Sequence, residues 1–198
     1  MKKIILFAAF VVVAFATQAQ VKFGTKSGLN LSTWGSDAKD LFADVKMQAG
    51  FYVGGLVHIP VSENFAIQPE LLVSAEGAKA TEMGSTVNFN TMFINVPVVA
   101  QYKTASGFYV EAGPQLGLLV SAKAKSDGNS EDIKDDLQST NFSAVLGLGY
   151  TMANGFGFGG RYNLGLSNAL KDAGDVKVTT SNISIGVHYI FGGKSSKN

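Results

Sequence analysis

The chain has 198 residues, 46% of them hydrophobic and 11% aromatic, with 16 basic and 15 acidic side chains, 23 Gly, 4 Pro and no Cys; that is the size of one domain. A near-neutral balance with a single arginine, Arg161, excludes nucleic-acid binding, which needs clustered Lys and Arg against phosphates. The lack of cysteine excludes disulfides, zinc ribbons, iron–sulfur centres and thiol catalysis, and two histidines leave little for a metal site.

Residues 1–19 have the make-up of a secretory signal peptide: Lys2 and Lys3, an apolar stretch from Ile4 to Phe15, and the small-residue site Thr17-Gln18-Ala19. The apolar stretch is too short for the roughly 20 residues a spanning helix requires. Its removal leaves residues 20–198 as one domain with 14 basic against 15 acidic side chains, net −1.

Beyond the leader no helical stripe occurs, and period-two alternation takes its place. Eight segments show it: 21–34, 47–60, 65–78, 88–103, 108–124, 140–152, 156–168 and 178–191. In the last, Ile183, Ile185, Val187, Tyr189 and Phe191 share one face, and Asn182, Ser184, Gly186 and His188 the other. Connections alternate between short (61–64, 104–107, 153–155) and long (35–46, 79–87, 125–139, 169–177). Tight turns therefore gather at one end and loops at the other, the plan of an all-β, eight-stranded antiparallel up-and-down barrel.

Two barrels fit this plan, a soluble lipocalin-type carrier with its apolar face inside and an outer-membrane barrel with that face against lipid, and the choice between them rests on the polar positions. They are mostly Gly, Ser, Asn and Gln, with Lys26, Glu70, Glu76, Glu111 and Arg161 as the clearer charges, too sparse for a surface in water. Aromatics ring the tight-turn end at Phe23, Phe65, Tyr102, Phe108, Tyr150, Phe156 and Tyr189, as in the interfacial girdles of membrane barrels. The expectation is a transmembrane β-barrel in the cell outer membrane of a Gram-negative bacterium, with short turns facing the periplasm. Its strands exceed the 9 to 11 residues of a tilted crossing and should protrude on the loop side. Pro69, Pro97 and Pro114 fall inside strands and predict bulges there.

The ordered set of strand pieces resembles the PorT-like outer-membrane β-barrel family of Bacteroidetes. The pieces are Gly24 to Asn30, Pro69 to Ser74, Ile94 to Val99 with Tyr102-Lys103, Ala112-Gly113-Pro114, Gly160 to Leu166 and the closing Gly186 to Phe191. The resemblance covers nearly the whole mature chain; it implies an eight-stranded outer-membrane barrel and little about activity. The closing segment is also similar to the signal read by the barrel-assembly machinery, with Gly186, Tyr189 and Phe191 in phase. It departs from that pattern in that Gly192 to Asn198 follow the final aromatic.

For the lumen, Arg161 is expected to pair with Glu70 or Glu111, with Lys26 and Gln115 completing a polar plug, since leaving such charges buried and unpaired costs several kcal/mol each. An eight-stranded barrel is too narrow for an aqueous channel, which favours a structural network over an ion path or gate. His58 and His188 lie near the tight-turn end, away from the outer rim where a barrel-borne lipid enzyme would place its triad. The loop 125–138 carries Asp127, Asn129, Glu131, Asp132, Asp135 and Asp136 without a calcium-loop pattern, and Asp37, Asp40 and Asp44 of the first long loop read the same way, as solvated acids.

No catalytic residue, metal site or cofactor is assigned. The partners expected are outer-membrane lipid and the assembly machinery, with the ligand of the outer loops unspecified. The function expected is envelope-structural or loop-mediated binding and adhesion. The alternatives are a narrow porin-like pore and a barrel-scaffolded lipid-modifying enzyme.

Overall fold

The computed structural model describes residues 21–36, 44–82, 85–126, 129–171 and 178–192; the signal peptide, Asp37, Asp40, Asp127 and the last six residues lie outside them. Among the described residues nine strands form: β1 (Lys22–Ser36), β2 (Asp44–Pro60), β3 (Phe65–Glu82), β4 (Ser85–Lys103), β5 (Phe108–Ser126), β6 (Asn129–Asp132), β7 (Thr140–Thr151), β8 (Phe156–Gly165) and β9 (Val178–Ile190). All pair antiparallel. The order β4-β3-β2-β1-β9-β8-β7-β5 closes on itself through β4–β5, making an eight-stranded barrel, and the short β6 pairs only with the end of β5.

Alternation sorts the two faces as the sequence implies. Leu29 and Ile185 are 63% and 64% exposed on the outside, whereas Lys26 and Arg161 are 6% and 7% exposed within. The barrel is thus apolar outside and polar inside, the reverse of a soluble carrier. At the tight-turn end Phe65 pairs with Tyr102, Phe108 with Tyr150 and Phe156 with Tyr189, so the aromatics form a belt. Two of the tight turns end in Gly107 and Gly155 at φ 103° and 91°, a left-handed conformation that disfavours any other residue.

Three local expectations are corrected. Residues 79–87 are not an open loop: β3 and β4 stay paired to Glu82–Ser85, and Lys79 and Asn88 continue the alternation as polar residues on the outward face. β8 ends at Gly165 rather than 168. The prolines cause no bulges: Pro69 pairs in register with Val98, Pro97 with Gln115 and Pro114 with Ala144, and the ladder only skips bridges beside them. Register shifts occur elsewhere, between Met47 and Tyr52 and between Met92 and Phe93.

Candidate functional site

The lumen is built in layers, and the central one is ionic. Glu111 on β5, Gly147 on β7 and Arg161 on β8 occupy one register row, so the arginine and the carboxylate meet across a glycine. A Cβ on Gly147 would lie 2.7 Å from Glu111 Oε1, which is why that position has none. Arg161 donates through Nε to Glu111, and through Nη1 and Nη2, each at 2.7 Å, to the two oxygens of Glu70 on β3. Such a fork fixes the guanidinium plane as well as its charge. Lys26 on β1 sits 3.4 Å from Glu70 and 4.0 Å from Glu111, which balances two cations against two carboxylates.

Glutamines use the remaining lone pairs. Gln68 Nε2 donates to Glu70 and Gln101 Nε2 to Glu111, both at 2.7 Å. Neither is apparent as a partner in the sequence, although each lies on the polar face, Gln68 two residues from Glu70. Gln115, expected in the plug, is buried but lines the layer above with Glu76, Asn95 and Asn163, and among the described residues it makes no hydrogen bond to the four charged groups.

Flanking the charges, two tyrosines fit over glycines. Gly28, Gly186, Gly159 and Gly149 are consecutive across β1, β9, β8 and β7, with Tyr52 on β2 beyond one end and Tyr109 on β5 beyond the other. A Cβ on Gly186 would come 2.3 Å from the Tyr52 hydroxyl, and one on Gly149 2.5 Å from that of Tyr109. The rings therefore occupy volume that the glycines of the neighbouring strands leave free.

Toward the loop end lies an amide layer. Asn95 donates to Glu76 at 3.0 Å, and Ser74 and Asn182 also hydrogen-bond this carboxylate. Asn163 donates to Asn182 at 2.6 Å and Asn30 to Ser74 at 3.1 Å. Asn30 Oδ1 and Asn163 Oδ1 find no protein donor and border a cavity of about 20 Å³, enough for a single water. Above this, an apolar cap closes the mouth. Trp34, Ala78 and Val178 pack with Ala169 and Leu170, and Phe93, Leu119 and Ala122 with Ile133 and Leu137. Gln138 N donates to Ala169 O and Lys171 N to Asp136 O, tying the two outer loops together. The acidic residues Glu131, Asp132, Asp135 and Asp136 stay exposed, as expected.

His58 and His188 are at the tight-turn end. His188 Nε2 is 3.0 Å from Thr151 Oγ1 and His58 Nδ1 is 3.2 Å from Gln68, so each has its own partner. Among the described residues no group of three His, Cys, Asp or Glu converges on a metal position.

A closed eight-stranded barrel with an apolar exterior, an aromatic belt and a filled polar lumen is the architecture of a membrane-spanning β-barrel. Residues 16–171 match the family model described as outer membrane protein beta-barrel domain, and the chain belongs to that family. The fold agrees with solved barrels. Neisserial surface protein A superposes with a TM-score of 0.55 at 12% identity, covering 84% of this chain and 96% of that one. Ail, the attachment invasion locus protein of Yersinia pestis, gives 0.51 at 16% identity, covering 86% and 98%; it has also been solved with the heparin analogue sucrose octasulfate. No curated protein matches the chain. Family and neighbours together point to the bacterial outer membrane.

Proposed function

We propose that this is an exported, PorT-like barrel of a Gram-negative outer membrane that does not conduct, and that it serves as an envelope-structural or binding protein through its outer end. The observation that carries the reading is the interior itself. The Arg161–Glu70–Glu111–Lys26 cluster fills the middle of the lumen, and the apolar cap formed with Ile133, Leu137, Ala169 and Leu170 covers its mouth. The cavities bordering these layers measure about 20, 10 and 10 Å³, water-sized spaces rather than a path.

In this reading the leader 1–19 is cleaved, the tight turns face the periplasm, and the barrel-assembly machinery and lipid are the partners in biogenesis. The two histidines, each held by a neutral side chain and remote from the cap, are structural and the protein is not an enzyme. Adhesion is compatible with the architecture, since Ail carries an attachment name on a similar barrel. The test is planar-bilayer recording on the refolded protein. Silent membranes are expected for wild type and for Arg161→Met; stable unitary currents from wild type would replace this reading with a narrow pore.

A further inference from the structure

The outer wall is not uniform at the loop end. On β7, β8 and β9 the outward residues stay apolar up to Phe142, Leu164 and Ile183, with no outward lysine or arginine. On β2–β5 they change character. Lys46 pairs with Lys79, Lys79 with Asn88, and Asn88 with Lys125, which forms one row across four strands; Asn90 and Lys123 pair one step below. These four lysines are exposed, and Lys79, Lys123 and Lys125 have no ion-pair partner among the described residues. The acid nearest in register is Asp132, opposite Lys123, whose Oδ1 accepts the Lys134 N–H at 3.0 Å.

Directly below the lysines the wall is apolar again, at Phe51, Val73, Met92 and Val120. Between the two zones runs a groove of about 350 Å³ that Phe51 and Met92 line from below and Asn90, Lys123 and Lys125 from above. With a strand rise of about 3.3 Å and a tilt of about 40°, Lys123 and Lys125 stand about 8 and 13 Å above Val120. Headgroups lie just beyond the apolar wall, and lysine stems reach back over apolar surface to place their ammonium groups among them.

We propose that this face binds a phosphate-bearing lipid of the outer leaflet. Its acyl chains lie along Phe51, Val73 and Met92, and its phosphate is held by Lys79, Lys123 and Lys125 with Asn90 between them. A lipid is the occupant because the groove joins an apolar floor to a cationic rim, a pattern a free anion would not need. Each lysine near an anionic headgroup contributes about fivefold in affinity, so the three together contribute on the order of a hundredfold. The placement rests on the orientation given under the proposed function, but the binding test does not, because symmetric bilayers present the lipid on both sides.

The experiment uses the refolded full-length mature chain in phosphatidylcholine nanodiscs, with or without bis-phosphorylated lipid A, following thermal unfolding and lipid retention. Wild type should be stabilised by the phosphorylated lipid and not by its dephosphorylated form. The variant K79Q/K123Q/K125Q, with retained folded mobility on unheated gels, should lose that response, while K22Q/K103Q at the opposite end should keep it. The proposal is overturned if the triple variant responds like wild type, if the end-control loses the response equally, or if inorganic phosphate alone reproduces it. Persistent lipid binding together with single-channel currents would refute the plug and leave this proposal standing.

Discussion

The barrel has two unlike halves. β2 to β5 are 17, 18, 19 and 19 residues long, rise above the apolar belt, and carry the lysine row outside and Glu70 and Glu111 inside. β7 to β9 are 12, 10 and 13 residues long, end near the belt, and are thinned on the inside by Gly147, Gly149, Gly159 and Gly186. What one half lacks the other supplies. The long half provides both carboxylates of the ionic layer and both tyrosines. The other half, with its neighbour β1, provides both cations and the glycine row that receives the rings. The lumen is therefore held by contacts across the barrel, in addition to the ladders that join each strand to the next.

The complementarity can be broken most severely at Arg161. Arg161→Met leaves two buried carboxylates with Lys26 as their only cation, and the refolded barrel should lose about 3–5 kcal/mol in urea unfolding, the usual cost of breaking a buried pair on one side. Replacing Lys26, Glu70, Glu111 and Arg161 together by apolar residues of similar size should cost less than that single change, because no charge is then left unpaired; a quadruple variant less stable than Arg161→Met would show that the ions contribute more than mutual neutralisation.

Leu137→Ala removes a 5%-exposed side chain from the cap and should cost about 2 kcal/mol or more. Limited proteolysis between 129 and 139 should accelerate while the strands remain resistant. Gly159→Ala places a Cβ 2.6 Å from the Tyr109 hydroxyl, and about 1–3 kcal/mol of overpacking should appear in the same unfolding assay. At Gly160, the next residue, the nearest atom to a Cβ is 3.5 Å away, so alanine there is the control and should be nearly neutral. The smallest effect belongs to Lys171→Ala, which loses only an exposed contact of 3.0 Å to Asp135 O and should shift stability by less than about 0.5 kcal/mol.

The strands, their faces and the aromatic belt were legible in the sequence because a period of two survives any error in register. The convergence of Lys26, Glu70, Glu111 and Arg161 was legible for a related reason: few charges sat on the inward face, and burial forces them together. Partners set by register were not legible. That Gly147 separates Glu111 from Arg161, or that Tyr52 covers Gly28 and Gly186, depends on how distant strands are staggered, which alternation leaves open. In sequence those glycines read only as small residues on a polar face. The cap was hidden too, because Ile133, Leu137, Ala169 and Leu170 lie in segments dominated by acids and amides and meet only after the barrel forms. The prolines misled for the opposite reason, since a strand can forgo individual bridges without shifting its register.

The seam between β1 and β9 joins Gly24 to Ile190 and continues to Ser36 opposite Val178. β1 is thus mated to β9, the strand farthest from it in sequence, and until the two meet the assembling wall has two raw borders offering unsatisfied amides to any neighbouring chain. Such remote pairing makes closure slow, because the chain must give up loop entropy before the contact forms. Loss of the last strand would therefore leave an open, adhesive ribbon in place of a slightly weaker barrel, and quality control in the envelope would meet an aggregation substrate.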